Sequence, residues 1–268
     1  MMSPEILISV LVVVLLVALF GWLLSLPENN VNAVDSLWSI FFLVSALVVI
    51  ATADQINGKN LLIFCLIAIW AIRLSAFLTF RNWGKAEDRR YSAIREKYNP
   101  GFRYKSFFII YLFQAVLATV IFAGLAPGLS MPLEFRWFDL IAVSIALGGI
   151  IFEAVADWQL QNFKIKNSDS KAVMNQGLWG LSRHPNYFGE FMFWWGMFFM
   201  IVSPAYWWVM ISPLIMTFLL LKFSGVSLME KDIDSRRPEY AQYVRNTPAF
   251  FPRLSGFISN NKQAGQTL

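Results

Sequence analysis

Cysteine and histidine are almost missing: one of each stands among 268 residues. Cys65 has no partner within the chain, so an intrachain disulfide and a cysteine-based metal centre are both excluded. His184 stands alone, which argues against a multi-histidine metal site. Charge is scarce as well. Asp, Glu, Lys and Arg make up 15 % of the chain, where a soluble globular protein carries about a quarter. No repeat of about 20–50 residues and no low-complexity linker interrupts the sequence, so solenoids and strings of modules drop out. A GxGxxG fingerprint is also missing, and a Rossmann nucleotide site is not expected.

What fills the chain instead is apolar. Hydrophobic residues are 57 %, aromatics 16 %, and mean hydropathy is +0.54. Several near-uncharged stretches reach the roughly 20 residues that cross a hydrocarbon core. The pattern predicts an all-α polytopic membrane protein, a bundle of seven transmembrane helices forming one domain over 1–268. The spans fall near 5–25, 34–53, 60–80, 106–126, 137–158, 187–203 and 205–223. The first has no basic leader and no small-residue cleavage site after it, so it reads as a retained span. Turn-rich connections such as "PENNVNAVD", "DQINGKN" and "APGLSMPLE" separate the spans, and Pro204 marks a break between the last two.

Net charge is +5, and it is unevenly spread. Residues 81–105 are dense in Lys and Arg. Lys164, Lys166, Lys171 and Arg183 follow the fifth span, and Lys231, Arg236, Arg237, Arg245 and Arg253 follow the seventh. All three segments share one side if the chain starts outside, and the positive-inside rule makes that side cytoplasmic. The predicted orientation is an external N-terminus and a cytoplasmic C-terminus.

Ionisable residues at membrane depth are costly and normally face a bundle interior, a wet cavity or one another. Glu153, Asp157 and Lys164, in "FEAVADWQLQNFKIK" (152–166), lie within roughly 40° of one another on a helix. They form either an anchoring ladder or a polar wall for a cytosolic ligand, with carboxylates suited to ribose or amide groups and a lysine suited to phosphate. Arg73 and Arg81 share a face of the third span. They either snorkel to the membrane edge or hold a phosphate, which suits arginine's planar fork. Asp35 and Trp38 open the second span; Asp35 either caps that helix or contacts a substrate.

The densest polar cluster lies in "GLWGLSRHPNYFGEFMFWWG", residues 177–196. Pro185 sits where a helix begins, and exposed backbone N–H groups there favour an anion. Arg183 and His184 precede that point. Asn186 and Glu190 share a face of the first turn, with Tyr187 beside them. A cation, an amide, a phenol and a carboxylate within eight residues point to ligand binding rather than to packing alone.

The stretch "GLWGLSRHPNYFGE" resembles the C-terminal signature of the membrane-embedded sterol and steroid reductases. The resemblance runs upstream through "ADWQLQNFK" and downstream to "EKDIDSRRPEYAQYVRNTPAFFP", about the last 120 residues, and is joined by "RNWGKAEDRRY" in the N-terminal half. The chain resembles a bacterial member of the steroid 5-alpha-reductase-like superfamily. That resemblance implies an NADPH-dependent reductase in the bacterial inner membrane. The cofactor would lie among the C-terminal helices (about 137–255), and a steroid-like or other lipid substrate would enter among the N-terminal ones (about 1–130). Asp157, Lys164, Asn186 and Glu190 match family cofactor positions. Glu153 stands where the steroid enzymes carry asparagine, and Arg236, Arg237, Tyr240 and Tyr243 fall in the tail that closes over the nucleotide. The chain lacks the family's Gln-Glu pair in the second span, which leaves Asp35 as a substitute and puts a steroid ketone in doubt.

The reduction implied is hydride delivery to an activated C=C bond, with Asp35, Tyr187 and Glu190 as candidate proton donors. Related membrane methyltransferases of the isoprenylcysteine carboxyl type share the Arg-His-Pro-x-Tyr pattern and the tail. They use S-adenosylmethionine and usually carry a Glu-Glu pair where this chain has Glu230 alone in "LMEKD". A methyltransferase is the alternative, and a lipid-binding protein that keeps the fold is a third reading. A nucleic-acid partner is not expected.

Overall fold

The computed structural model describes residues 4–167, 172–223 and 240–253. Among them helices and turns form the whole fold, and no strand occurs. The helices are α1 (Pro4–Ser25), α2 (Ala33–Ala51), α3 (Gly58–Asn82), α4 (Arg89–Tyr98), α5 (Phe102–Phe122), α6 (Asp139–Lys166), α7 (Pro185–Ile201), α8 (Pro204–Lys222) and α9 (Tyr240–Asn246). Six of these, α1–α3, α5, α6 and α8, are long and apolar enough to cross a bilayer. With 17 residues, α7 rises about 25 Å against a hydrocarbon core of about 30 Å. The chain is an integral membrane protein, all-helical among the described residues, with six helices of spanning length there; the seventh span expected, near 187–203, falls on the shorter α7.

Apolar residues divide by face. In α1, Val10, Val14, Ala18, Gly21 and Ser25 are buried, a stripe at near-helical spacing. Leu16, Phe20 and Leu24 on the remaining surface are each more than half exposed. A soluble fold would not tolerate so large an apolar surface, but lipid tails cover it at no cost.

The chain divides into two compact units. The first is Met1–Asp139 with Phe198–Ser212, and the second is Leu140–Met197 with Pro213–Leu268. In the first unit α2 packs on α1, α3 and α5. The core contains Phe41, Phe42, Trp70, Ala71, Ala115, Ala118 and Ile121. Asn57 starts α3 with a reciprocal capping box to Asn60. Asn60 also donates to the Gly128 and Met131 carbonyls, at 2.9 and 2.7 Å, so the cap anchors the connection after α5. Beside it, Lys59 and Asp139 form a fully buried ion pair at 2.6 Å. Arg136 donates to the same carboxylate at 2.9 Å and to the carbonyls of Phe199, Met200 and Val202, so it closes the C-terminal end of α7.

The second unit is built on the crossing of α6 and α7. A Cβ on Gly189 would lie 2.6 Å from the Glu153 amide nitrogen and 2.7 Å from the Gly149 carbonyl. Small residues let the two backbones touch, as at many membrane helix crossings. Gly189→Val therefore forces the helices apart, because backbone atoms cannot step aside. A loss of about 1–3 kcal/mol or more is expected, read as a lower melting midpoint in detergent; an unchanged midpoint would contradict this packing.

Candidate functional site

In the second unit, α6 and α7 each bring acids to their crossing. Glu153, Asp157 and Glu190 are 3, 5 and 8 % exposed. Asn186, on the first turn of α7, donates to Asp157 Oδ1 at 3.3 Å. The structure thus joins four of the residues singled out in the sequence on two packed helices. Lys164 is placed differently: it sits near the solvent-exposed end of α6. The helix runs past the expected boundary at 158 because its Gln, Leu and Lys residues there favour helix.

The 177–184 turn is fixed by its own polar atoms. Trp179 Nε1 donates to the Ala156 carbonyl at 2.9 Å, and the Leu178 amide donates to Gln159 Oε1 at 3.0 Å. The chain from 240 to 253 then straps across it. Arg183 donates to the carbonyls of Val244 and Thr247 at 3.1 and 2.7 Å, and its amide donates to Pro248 O. Ser182 Oγ donates to the Phe250 carbonyl at 2.8 Å, and the Tyr243 hydroxyl donates to the Trp179 carbonyl. In α9, Tyr243 packs edge-on against Tyr240, with ring centroids 5.4 Å apart. These contacts spend much of the hydrogen-bonding capacity of Arg183 and Tyr243 on holding the tail to the turn. His184 and Tyr187 stack at 5.6 Å with an interplanar angle of 4°. Arg236 and Arg237 lie outside the described residues.

The first unit gathers a second cluster around Asp35. The α2 N-cap position belongs to Asn32, and the Asp35 side chain turns to other partners. Its carboxylate accepts from the Tyr91 hydroxyl and from Arg90 at 3.0 Å, with Arg81 at 3.7 Å. Gln114 Nε2 donates to the Tyr91 oxygen at 3.4 Å. Arg90 is shared with Asp88, the N-cap of α4. Asn32 ties this helix start to α2, accepting from the Asp88 amide at 2.7 Å and donating to the Ala86 carbonyl at 3.0 Å. Trp38 lies on α2 edge-on to Phe42, which packs in turn on Trp70. Arg73, on α3, is half-buried.

Burial and the charge of Asp35 push the Tyr91 hydroxyl well above the usual phenol range, so it keeps its proton at physiological pH. Burial alone would raise Asp88, but the hydrogen bonds and charge of Arg90 outweigh it and hold that carboxyl below its ordinary range. Sequence reasoning missed Tyr91, Arg90 and Gln114. The available signal was "EDRRY", an N-capping acid followed by two cations and a phenol just beyond a span.

The chain is 27 % identical to the cobalt-zinc-cadmium resistance protein CzcN of Cupriavidus metallidurans over 52 % of its own length and 62 % of that protein's. It is 26 % identical to the nickel-cobalt-cadmium resistance protein NccN of Alcaligenes xylosoxydans over 54 % of its length and 66 % of that protein's. It thus spans less than two thirds of the length of these two relatives. An uncharacterized protein of Schizosaccharomyces pombe is 26 % identical over 88 % of this chain and 76 % of its own. No solved structure matches. A family model described as protein of unknown function, DUF1295, matches residues 21–247, which include α2 to α9 and both polar clusters. The chain therefore belongs to the DUF1295 family of the steroid 5-alpha-reductase-like superfamily.

Proposed function

We propose that this protein is a membrane-embedded reductase that uses NADPH to reduce an activated C=C bond of a lipid. The observation that carries the reading is the buried acids Glu153, Asp157 and Glu190, with the partly exposed Asn186 beside them, on the crossing of α6 and α7. Three carboxylates held largely out of water on one helix crossing are costly as mere scaffold. As acceptors and donors they suit ribose hydroxyls and a carboxamide. They do not suit phosphates, for which the reading assigns Lys164, Arg236 and Arg237. Within that division the residues fit a dinucleotide.

When bound, NADPH supplies the hydride. In this reading Asp157 and Glu190 accept from its hydroxyl and amide groups, and Asn186, already fixed by Asp157, sets their spacing. Arg183 and Tyr243 act one step back, by holding the tail against the 177–184 turn. Tyr187, on α7 beside Asn186 and Glu190, takes the proton role and would give its hydroxyl proton to the carbonyl oxygen of an enone as charge develops there.

Two relatives are named for resistance to metals. Among the described residues no three His, Cys, Asp or Glu side chains gather as a metal-binding group. The test is incubation of the protein in lipid vesicles with NADPH and a membrane lipid extract. The expected product is a lipid heavier by two hydrogens, with loss of NADPH absorbance. A lipid that gains a methyl group from S-adenosylmethionine, with NADPH unchanged, would put the methyltransferase in its place.

A further inference from the structure

The segment that joins α3 to α5 sorts its charges by direction. Two of its three acids, Glu87 and Asp88, are paired within the fold. Glu87 accepts from Arg95 at 2.7 and 2.8 Å and from the Val31 amide at 3.2 Å, while Asp88 accepts from Arg90. Lys85, Arg89, Lys97, Arg103 and Lys105 are exposed, against one exposed acid, Glu96. The net charge of the segment is thus concentrated on its outer face, although the sequence mixes both signs.

Large aromatics bracket this cationic face at both helix ends. Phe80 and Trp83, where α3 ends, are each 79 % exposed, and Tyr104 and Phe108, where α5 begins, are 64 and 65 % exposed. Exposed aromatic side chains at the end of a spanning helix mark the water–lipid boundary. Both flanking helices are of spanning length, so the segment is tethered at that boundary on either side. A protein partner would gain nothing from this tethering, whereas the lipid headgroups are already there.

We infer that residues 83–105 form a docking surface for anionic phospholipid headgroups, with Lys85, Arg89, Lys97 and Arg103 as their phosphate contacts. The aromatic residues set the depth, and the inward pairing of Glu87 and Asp88 removes the acids that would repel an anionic lipid. Basic residues at a membrane surface each favour anionic lipid by on the order of fivefold, and the attraction is screened within a Debye length.

The test uses the full chain in vesicles of phosphatidylcholine and phosphatidylglycerol, with a donor dye on Ser92→Cys in a Cys65→Ser background. Energy transfer is measured to acyl-chain-labelled phosphatidylglycerol and, separately, to acyl-chain-labelled phosphatidylcholine at equal mole fraction. The expected result is phosphatidylglycerol enrichment of at least about fivefold, falling toward parity in high salt. It should fall likewise in Lys85→Gln/Arg89→Gln/Lys97→Gln and persist in Lys85→Arg/Lys97→Arg. Equal transfer to both lipids in the unmutated segment at low salt would overturn the assignment, as would enrichment that survives the triple glutamine variant.

Discussion

Asp139→Ala is expected to destabilise the fold by about 3–5 kcal/mol, the cost of breaking a buried pair from one side. Asp139 is fully buried and accepts from Lys59 at 2.6 Å, from the Arg136 amide at 2.7 Å and from the Arg136 guanidinium. Without it, the buried Lys59 ammonium keeps only the Glu134 carbonyl at 3.1 Å. Arg136 also loses the anchor that holds it against the end of α7. The measurement is the melting midpoint of detergent-solubilised protein. The double variant Lys59→Met/Asp139→Leu should recover much of the loss, since it leaves neither charge unpaired. If Asp139→Ala melts like the parent, the triad is not what holds α3, the start of α6 and the end of α7 together.

Tyr187→Phe is expected to lower NADPH-dependent lipid reduction by about 10²–10⁴-fold, the usual contribution of a positioned proton donor. The ring remains and only the hydroxyl is lost, so the fold should lose on the order of 1 kcal/mol. The stacking of His184 on the same ring survives the substitution. Full turnover in Tyr187→Phe would exclude that hydroxyl as the proton donor.

The spans were legible because apolar runs of membrane length leave little choice of structure, and the shared face of Glu153 and Asp157 followed from helical spacing alone. Partners across the chain were not legible. Lys59 and Asp139 are 80 residues apart and Asp35 and Tyr91 are 56 apart. Asp35 had a local reading as a helix cap, the other three had none, and no local pattern names a distant acceptor. Arg183 shows the same limit. Before Pro185 it reads as a cation at a helix start, facing an anion, yet the returning tail offers its guanidinium the carbonyls of Val244 and Thr247. Spacing along one helix says which face a residue occupies and nothing about a segment that returns 60 residues later.

The central claim, that the buried acids of α6 and α7 together with Asn186 bind NADPH, is tested most directly by ligand titration of the purified protein in lipid nanodiscs. A ligand that binds only the folded state raises the melting midpoint in proportion to its saturation. NADPH should do so, S-adenosylmethionine should not, and Asn186→Ala and Glu190→Gln should each weaken NADPH binding by roughly tenfold while melting normally without ligand. Stabilisation by S-adenosylmethionine alone, or undiminished NADPH affinity in both variants, would contradict it.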